Sequence, residues 1–76
     1  MTRQKKLGEE LTRLRKGLRY SQGALAGLAG IHQTTLCNIE KGRQIPGLAV
    51  LAALAVPLDL SPSEIGRLVL ILGGES

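Results

Sequence analysis

Residues 21–40 read SQGALAGLAGIHQTTLCNIE and predict two short helices joined by a tight turn at Gly30. Ser21 is a good N-cap, because its hydroxyl can accept a free backbone N–H of the first helical turn. Gly30 can end the first helix, since glycine enters the left-handed conformation at little steric cost. The second helix is predicted to begin at about His32. We therefore interpret residues 21–41 as a helix-turn-helix unit.

The outer face of the second helix carries side chains that can read the edges of base pairs. At about 100° per residue, Leu36 and Ile39 share the inner face. Glutamine and asparagine can pair bidentately with adenine, and threonine offers a hydroxyl and a methyl group. These residue types are also ordinary on a solvated helix, so the turn and its spacing are what favour DNA reading. The outer face consists of Gln33, Thr34, Cys37, Asn38 and Lys41.

The pattern resembles the Cro and phage-repressor (Xre-like) family of helix-turn-helix DNA-binding domains over roughly residues 7–68. Residues 31–34 most resemble the small controller proteins of restriction–modification systems. The resemblance implies an all-α, five-helix, lambda-repressor-like fold in one domain, residues 1–76, that regulates transcription. The matching residues are Leu11, Leu14, Arg15, Ser21, Gln22, Leu25, Ala26, Gly30, Ile31, Leu36, Ile39, Glu40, Gly42, Pro46, Leu51, Leu54, Ala55 and Ser61.

Hydrophobic periodicity and capping signals predict five helices and no strands. Leucines at 7, 11, 14 and 18 form one stripe of the first helix. The last helix opens with residues 61–64, Ser-Pro-Ser-Glu, a capping box with proline at the first helical position. The expected bounds are 2–16, 21–29, 32–41, 47–56 and 61–72.

Four residues depart from the family pattern. Pro57 lacks a backbone N–H and should end helix 4 near Val56. Arg19 and Asp59 stand where relatives commonly have glycine, which predicts strained or altered turns. His32 stands where the DNA-reading helix usually begins with serine or threonine. Histidine caps poorly, but it could contact a phosphate or a base.

The charge of the chain suits a polyanionic partner. The net charge is +4 over 76 residues, and residues 1–20 alone hold seven basic and two acidic residues, a net +5. The only aromatic side chain is Tyr20. Modules for single strands and RNA stack bases on aromatic faces, so double-stranded DNA is the favoured partner.

Several function classes are disfavoured. One cysteine, Cys37, excludes an intrachain disulfide and a multi-cysteine zinc site. With one histidine and scattered carboxylates, the chain shows no metal set and no nucleophile–base pair, so we expect neither an enzyme nor a cofactor. No apolar run follows the charged N-terminus, and the longest apolar stretches, 48–56 and 65–72, fall short of the roughly 20 residues that span a bilayer. We expect a cytoplasmic protein, bacterial or phage-encoded, with no membrane partner.

Individual residues receive expected roles. Gln33, Thr34 and Asn38 are expected to contact base edges. Arg15 and Glu40 occupy positions that form an ion pair in many relatives, which would tie helix 1 to the DNA-reading helix. The expected contacts to the DNA backbone are Gln22, Arg43 and Gln44, with Arg19, Lys41 and His32 as weaker candidates.

Helices 4 and 5 carry more apolar residues than a small monomer can bury. Helix 4 is apolar almost all round, and helix 5 has a stripe at 65, 68, 69 and 72 with Leu70 and Ile71 outside it. This surplus predicts an identical partner in a two-fold homodimer. The expected contacts are Leu68, Val69, Ile71 and Leu72.

Two other functions fit the same resemblance. The chain could be an antitoxin that represses its own operon and also binds a toxin protein; co-purification of a co-encoded protein would distinguish this case. It could also be an adaptor that has kept the fold without binding DNA, which predicts no salt-sensitive binding to DNA at all.

Overall fold

The computed structural model describes residues 2–73, without the side chain of Leu72. This part of the chain contains five helices and no strand, so the predicted all-α, five-helix fold is confirmed. Every helix begins and ends within one residue of the predicted bounds. The helices are α1 (Arg3–Gly17), α2 (Gln22–Ala29), α3 (Gln33–Glu40), α4 (Leu48–Ala55) and α5 (Pro62–Gly73).

Side-chain caps fix where three helices begin. Thr2 Oγ1 accepts the Lys5 N–H at 3.1 Å, and Ser21 Oγ accepts the Ala24 N–H at 3.0 Å. At α5 the predicted capping box is closed in both directions. Ser61 Oγ accepts the Glu64 N–H at 3.2 Å, while Glu64 Oε1 accepts the Ser61 N–H at 2.9 Å. These local bonds satisfy donors that a helix cannot satisfy itself.

One hydrophobic core lies between all five helices. Helix α1 packs against α3 and α5, while α2 packs against α3 and α4. The helix-turn-helix unit is therefore supported by α1, which contacts α3, and by α4, which contacts α2. The buried apolar residues are Leu7, Leu11, Leu25, Ala26, Leu36, Ile39, Leu51, Leu54, Leu58 and Leu68.

Two turns adopt the backbone conformation that the sequence departures predicted. Arg19 has φ 64° in the turn before α2, and Asp59 has φ 53° in the turn before α5. Both are left-handed conformations that cost a non-glycine residue about 1–2 kcal/mol. Helix α4 ends at Ala55, two residues before Pro57, so proline ends this helix as expected.

The orientation of α5 decides which of the expected partner contacts are exposed. Leu68 is 1% exposed and belongs to the core, so it offers a partner almost no surface, contrary to expectation. Ile71, placed outside the buried stripe by its spacing, is half-buried and packs against the core. Val69, also an expected contact, is 41% exposed, and Ile65 is 37% exposed. The side chain of Leu72, also an expected contact, lies outside the described residues.

Candidate nucleic-acid interface

Helix α3 separates an inner apolar face from an outer polar one. Leu36 and Ile39 are fully buried. Gln33 and Thr34 are exposed at the start of the helix, and Asn38 is half-buried one turn later. The three expected base-reading residues thus lie on the side of α3 that faces away from the core. Cys37 shares this side and is also half-buried.

A short turn sets the angle between α2 and α3. Gly30 has φ 72°, and the Ile31 N–H donates to the Ala26 carbonyl at 3.0 Å, which closes the end of α2. His32 is the N-cap residue of α3, but its side chain makes no capping hydrogen bond. The exposed imidazole of His32 is therefore not used to begin the helix.

Arg15 and Glu40, expected as an ion pair, lie in contact. Arg15 Nε donates to Glu40 Oε2 at 2.7 Å, and Arg15 Nη2 donates to Glu40 Oε1 at 3.0 Å. The third nitrogen, Nη1, donates to the Tyr20 carbonyl at 2.8 Å. Only 10% of the Arg15 side chain and 4% of the Glu40 side chain are exposed. This two-pronged contact joins α1, the turn before α2 and the end of α3.

Gln22 joins the same network, a contact that the sequence analysis missed. Its Nε2 donates to Glu40 Oε1 at 3.0 Å, so the first residue of α2 is tied to the last residue of α3. Burial raises the pKa of the Glu40 carboxyl, but hydrogen bonds from Arg15 and Gln22 outweigh burial and hold that pKa below its usual value. Glu40 is therefore a charged group at the centre of three elements.

Gly8 brings the backbone of α1 against the end of α3. A Cβ atom at Gly8 would lie 2.5 Å from the carbonyl oxygens of both Ile39 and Glu40. No larger side chain fits there without moving one helix. A glycine inside a helix costs about 1 kcal/mol of stability relative to alanine. The presence of Gly8 inside a predicted helix was therefore the sequence signal that could have indicated a close approach of another element.

Four of the six expected contacts to the DNA backbone lie in two exposed segments. Lys41, Arg43 and Gln44 follow α3 directly and are exposed, as is Arg19 in the turn before α2. Gly42, with φ 75°, turns the chain at the end of α3, and the Arg43 N–H donates to the Asn38 carbonyl at 2.9 Å. This bond fixes the backbone of the loop next to the outer face of α3.

Residues 2–73 contain neither a cluster of metal-binding side chains nor a membrane-spanning helix. No three histidine, cysteine, aspartate or glutamate side chains in this range come together as metal ligands. In the same range, no helix combines the length and the apolar character that a membrane crossing requires.

Comparison with known proteins identifies the class. Residues 6–68 match the family described as "Helix-turn-helix domain". The chain belongs to this family and is a DNA-binding transcriptional regulator of the Xre-like type, as the sequence resemblance predicted.

Among solved structures, the chain is similar to the restriction-modification controller protein C.AhdI from Aeromonas hydrophila. The two share 32% sequence identity and superpose with a TM-score of 0.77. The alignment covers 82% of this chain and 94% of that chain. A comparison with curated proteins gave no match.

Proposed function

We propose that the protein is a sequence-specific regulator of the repressor or controller type that binds a palindromic operator as a homodimer. The observation that carries this proposal is how α3 is fixed to the rest of the domain. Its inner face is buried and its last residue, Glu40, is held by Arg15, while Gln33 and Thr34 point outward. The similarity to a solved controller protein supports the controller type.

Base reading is assigned to the outer face of α3. In helix-turn-helix complexes the N-terminal residues of the second helix contact base edges in the major groove. Gln33 and Thr34 occupy that end here, and Asn38 lies one turn further along. An amide can both donate and accept, so each of Gln33 and Asn38 can pair bidentately with adenine.

Gln22 is assigned to a phosphate at the start of α2. Its amide has two donor hydrogens, and Glu40 receives one of them at 3.0 Å. The second hydrogen remains for a phosphate, next to the N–H groups at the N-terminus of α2. Glu40 thereby orients Gln22 as well as α3. Arg43 and Gln44, in the loop that follows α3, are assigned to the sugar-phosphate backbone of the DNA.

The homodimer is assigned to an apolar groove between α4 and α5. The groove has a volume of about 380 Å³. Leu48 on one rim is 69% exposed and Val69 on the other is 41% exposed, which leaves apolar surface for a second copy to cover. A two-fold dimer would place two α3 helices about 34 Å apart, one turn of B-DNA. The lining residues are Leu48, Leu51, Ala52, Ala55, Leu60, Ile65, Leu68 and Val69.

Sedimentation equilibrium of charge-insertion variants tests the dimer. Val69→Glu places a charge in the groove and should give monomers that remain helical by circular dichroism. Leu18→Glu is the matched control, since Leu18 is similarly exposed, at 48%, but lies outside the groove. The control should sediment like the wild type. A wild-type protein that is still monomeric at high micromolar concentration would contradict a preformed dimer.

A further inference from the structure

The N-terminal helix carries more positive charge than the proposed contacts use. Residues 1–20 contain seven basic side chains. Arg15 is buried against Glu40, and Arg13 pairs with Glu10 on the surface. Arg3 and Lys5, in the first turn of α1, have no role in the ion-pair network or in the α3 reading face. Their position relative to α3 decides whether their charge can reach DNA.

The first turn of α1 lies directly against the turn that follows α3. A Cβ atom at Gly42 would lie 2.9 Å from Lys5 Cα and 3.0 Å from Lys5 Cγ. The neighbouring contact at Gly8 holds the same helix against the carbonyls of Ile39 and Glu40. Lys5 is therefore fixed beside Gly42, between the end of α3 and the loop that carries Arg43.

Two segments far apart in sequence thus form one basic surface. Arg3 and Lys5 come from α1, and Lys41 and Arg43 come from either side of Gly42; all four side chains are exposed. We call these four residues the basic ridge. Within residues 2–73 none of them forms an ion pair with a carboxylate. A cleft of about 280 Å³ beside the ridge is lined by Arg3 of α1 and Ile45 of the loop. The start of α1 and the loop after α3 therefore share one surface at this cleft.

We propose that the basic ridge binds phosphates of duplex DNA flanking the base pairs that α3 reads, and that Lys5 supplies one of these contacts. The proposal rests on the proposed function, because the DNA must already lie along α3. The compact loop after α3 places Arg43 at the edge of the reading face, and the packing of Lys5 on Gly42 extends that edge onto α1. Neutralising a phosphate with a lysine releases a condensed counterion, which makes the contact measurable through its salt dependence.

Lys6 provides an internal control for Lys5. It is also exposed and carries the same charge, but it lies on the Glu10 side of α1. The pKa of Glu10 is lowered first by a hydrogen bond from Arg13 and further by the charges of Arg67 and Lys6. Arg67 belongs to α5 and contacts Glu10, so this side of α1 lies toward α5 rather than toward Gly42. Removing Lys6 changes the net charge as much as removing Lys5 and leaves the ridge intact.

The test measures binding of a fluorescein-labelled duplex of random sequence by anisotropy, between about 50 and 200 mM salt. Lys5→Ala should reduce the slope of log K against log salt by about 0.9 and weaken binding about eightfold at roughly 0.1 M salt. Lys5→Arg should keep the wild-type slope, and so should Lys6→Ala. Circular dichroism spectra of all three variants should match the wild type.

Three results would overturn the basic ridge, and they differ in what else they imply. Equal slopes for Lys5→Ala and the wild type would show that Lys5 contacts no phosphate. Equal losses for Lys5→Ala and Lys6→Ala would show that binding follows net charge and not the ridge. Both of these results would leave the proposed function standing. A wild-type protein without salt-sensitive binding to duplex DNA would contradict the proposed function itself, and the basic ridge with it.

Discussion

Replacing Glu40 by glutamine tests whether the buried ion pair holds the reading helix in place. Glutamine keeps the size of the side chain but removes its charge and replaces one acceptor oxygen by a donor. Glu40 now accepts bonds from Arg15 at 2.7 and 3.0 Å and from Gln22 at 3.0 Å. In the variant, Arg15 would remain a buried cation without a negative partner, with the Tyr20 carbonyl, at 2.8 Å, and the one remaining amide oxygen as its acceptors.

The expected loss is large for a domain of this size. Removing one member of a buried ion pair costs about 3–5 kcal/mol, because the other charge stays buried without compensation. Since the Arg15 side chain is still 10% exposed, we expect the lower end, about 3 kcal/mol. A chain of 76 residues has a total free energy of unfolding of about 4–11 kcal/mol. At about 4–8 °C per kcal/mol, Tm should fall by roughly 12–24 °C.

Urea unfolding followed by circular dichroism measures this loss. Glu10→Gln is the matched control, since Glu10 pairs with Arg13 and Arg67 at the surface, and its loss should be clearly smaller. The double variant Arg15→Met/Glu40→Leu should recover most of the stability, because no buried charge is left. A loss below about 1 kcal/mol for Glu40→Gln would place the pair in the range of surface ion pairs and refute the reasoning.

Three further predictions concern pH and DNA contacts. The pKa of Glu40 is lowered in the folded state. The contribution of Glu40 to the free energy of unfolding is therefore complete above the unfolded pKa of about 4.3 and is lost as the pH falls through the folded pKa. The difference in unfolding free energy between wild type and Glu40→Gln, measured in urea, should narrow below about pH 4.3. Gln33→Ala and Asn38→Ala should each weaken binding to the selected operator by roughly 1–3 kcal/mol and relax the base preference at one base pair per half-site. If both variants bound operator and scrambled DNA with wild-type affinity, α3 would be oriented differently. Arg43→Ala should weaken specific and non-specific binding alike in anisotropy titrations and lower the salt slope by about 0.9; a loss restricted to one sequence would make Arg43 a base reader.

Local signals account for how well the helices could be predicted. Ser21, Gly30 and the capping box at Ser61 act through bonds to backbone groups within a few residues, so their effect can be read without knowing the tertiary structure. The effect of Pro57 is also local, because proline lacks a backbone N–H and its ring clashes with the preceding helical turn. The contact between Arg15 and Glu40 spans 25 residues and was predicted only through the resemblance to a family.

The orientation of α5 could not be predicted, because too many of its faces are apolar. Residues 68–72 are Leu-Val-Leu-Ile-Leu. Because all five are apolar, hydrophobic periodicity cannot tell which face of the helix is buried. Packing against α1, with Arg67 contacting Glu10 across the two helices, turns Leu68 inward and leaves Val69 exposed. That choice depends on the shape of the assembled core.

The contacts of Gly8 and Gln22 were missed for a related reason. The close approach of Gly8 to the Ile39 and Glu40 carbonyls exists only once α1 and α3 are packed. The bond from Gln22 to Glu40 likewise requires the turn at Gly30 to bring the start of α2 beside the end of α3. Sequence patterns give the faces of each helix, and the distances between helices come from packing.

Selection of bound duplexes from a random pool by the wild-type protein tests the central claim most directly. The account predicts an enriched palindromic motif whose half-sites lie about 10–10.5 base pairs apart, centre to centre, as two α3 helices in successive major grooves require. Enrichment of a single asymmetric half-site would contradict the dimer, and a pool that remains random after repeated rounds would contradict sequence-specific binding.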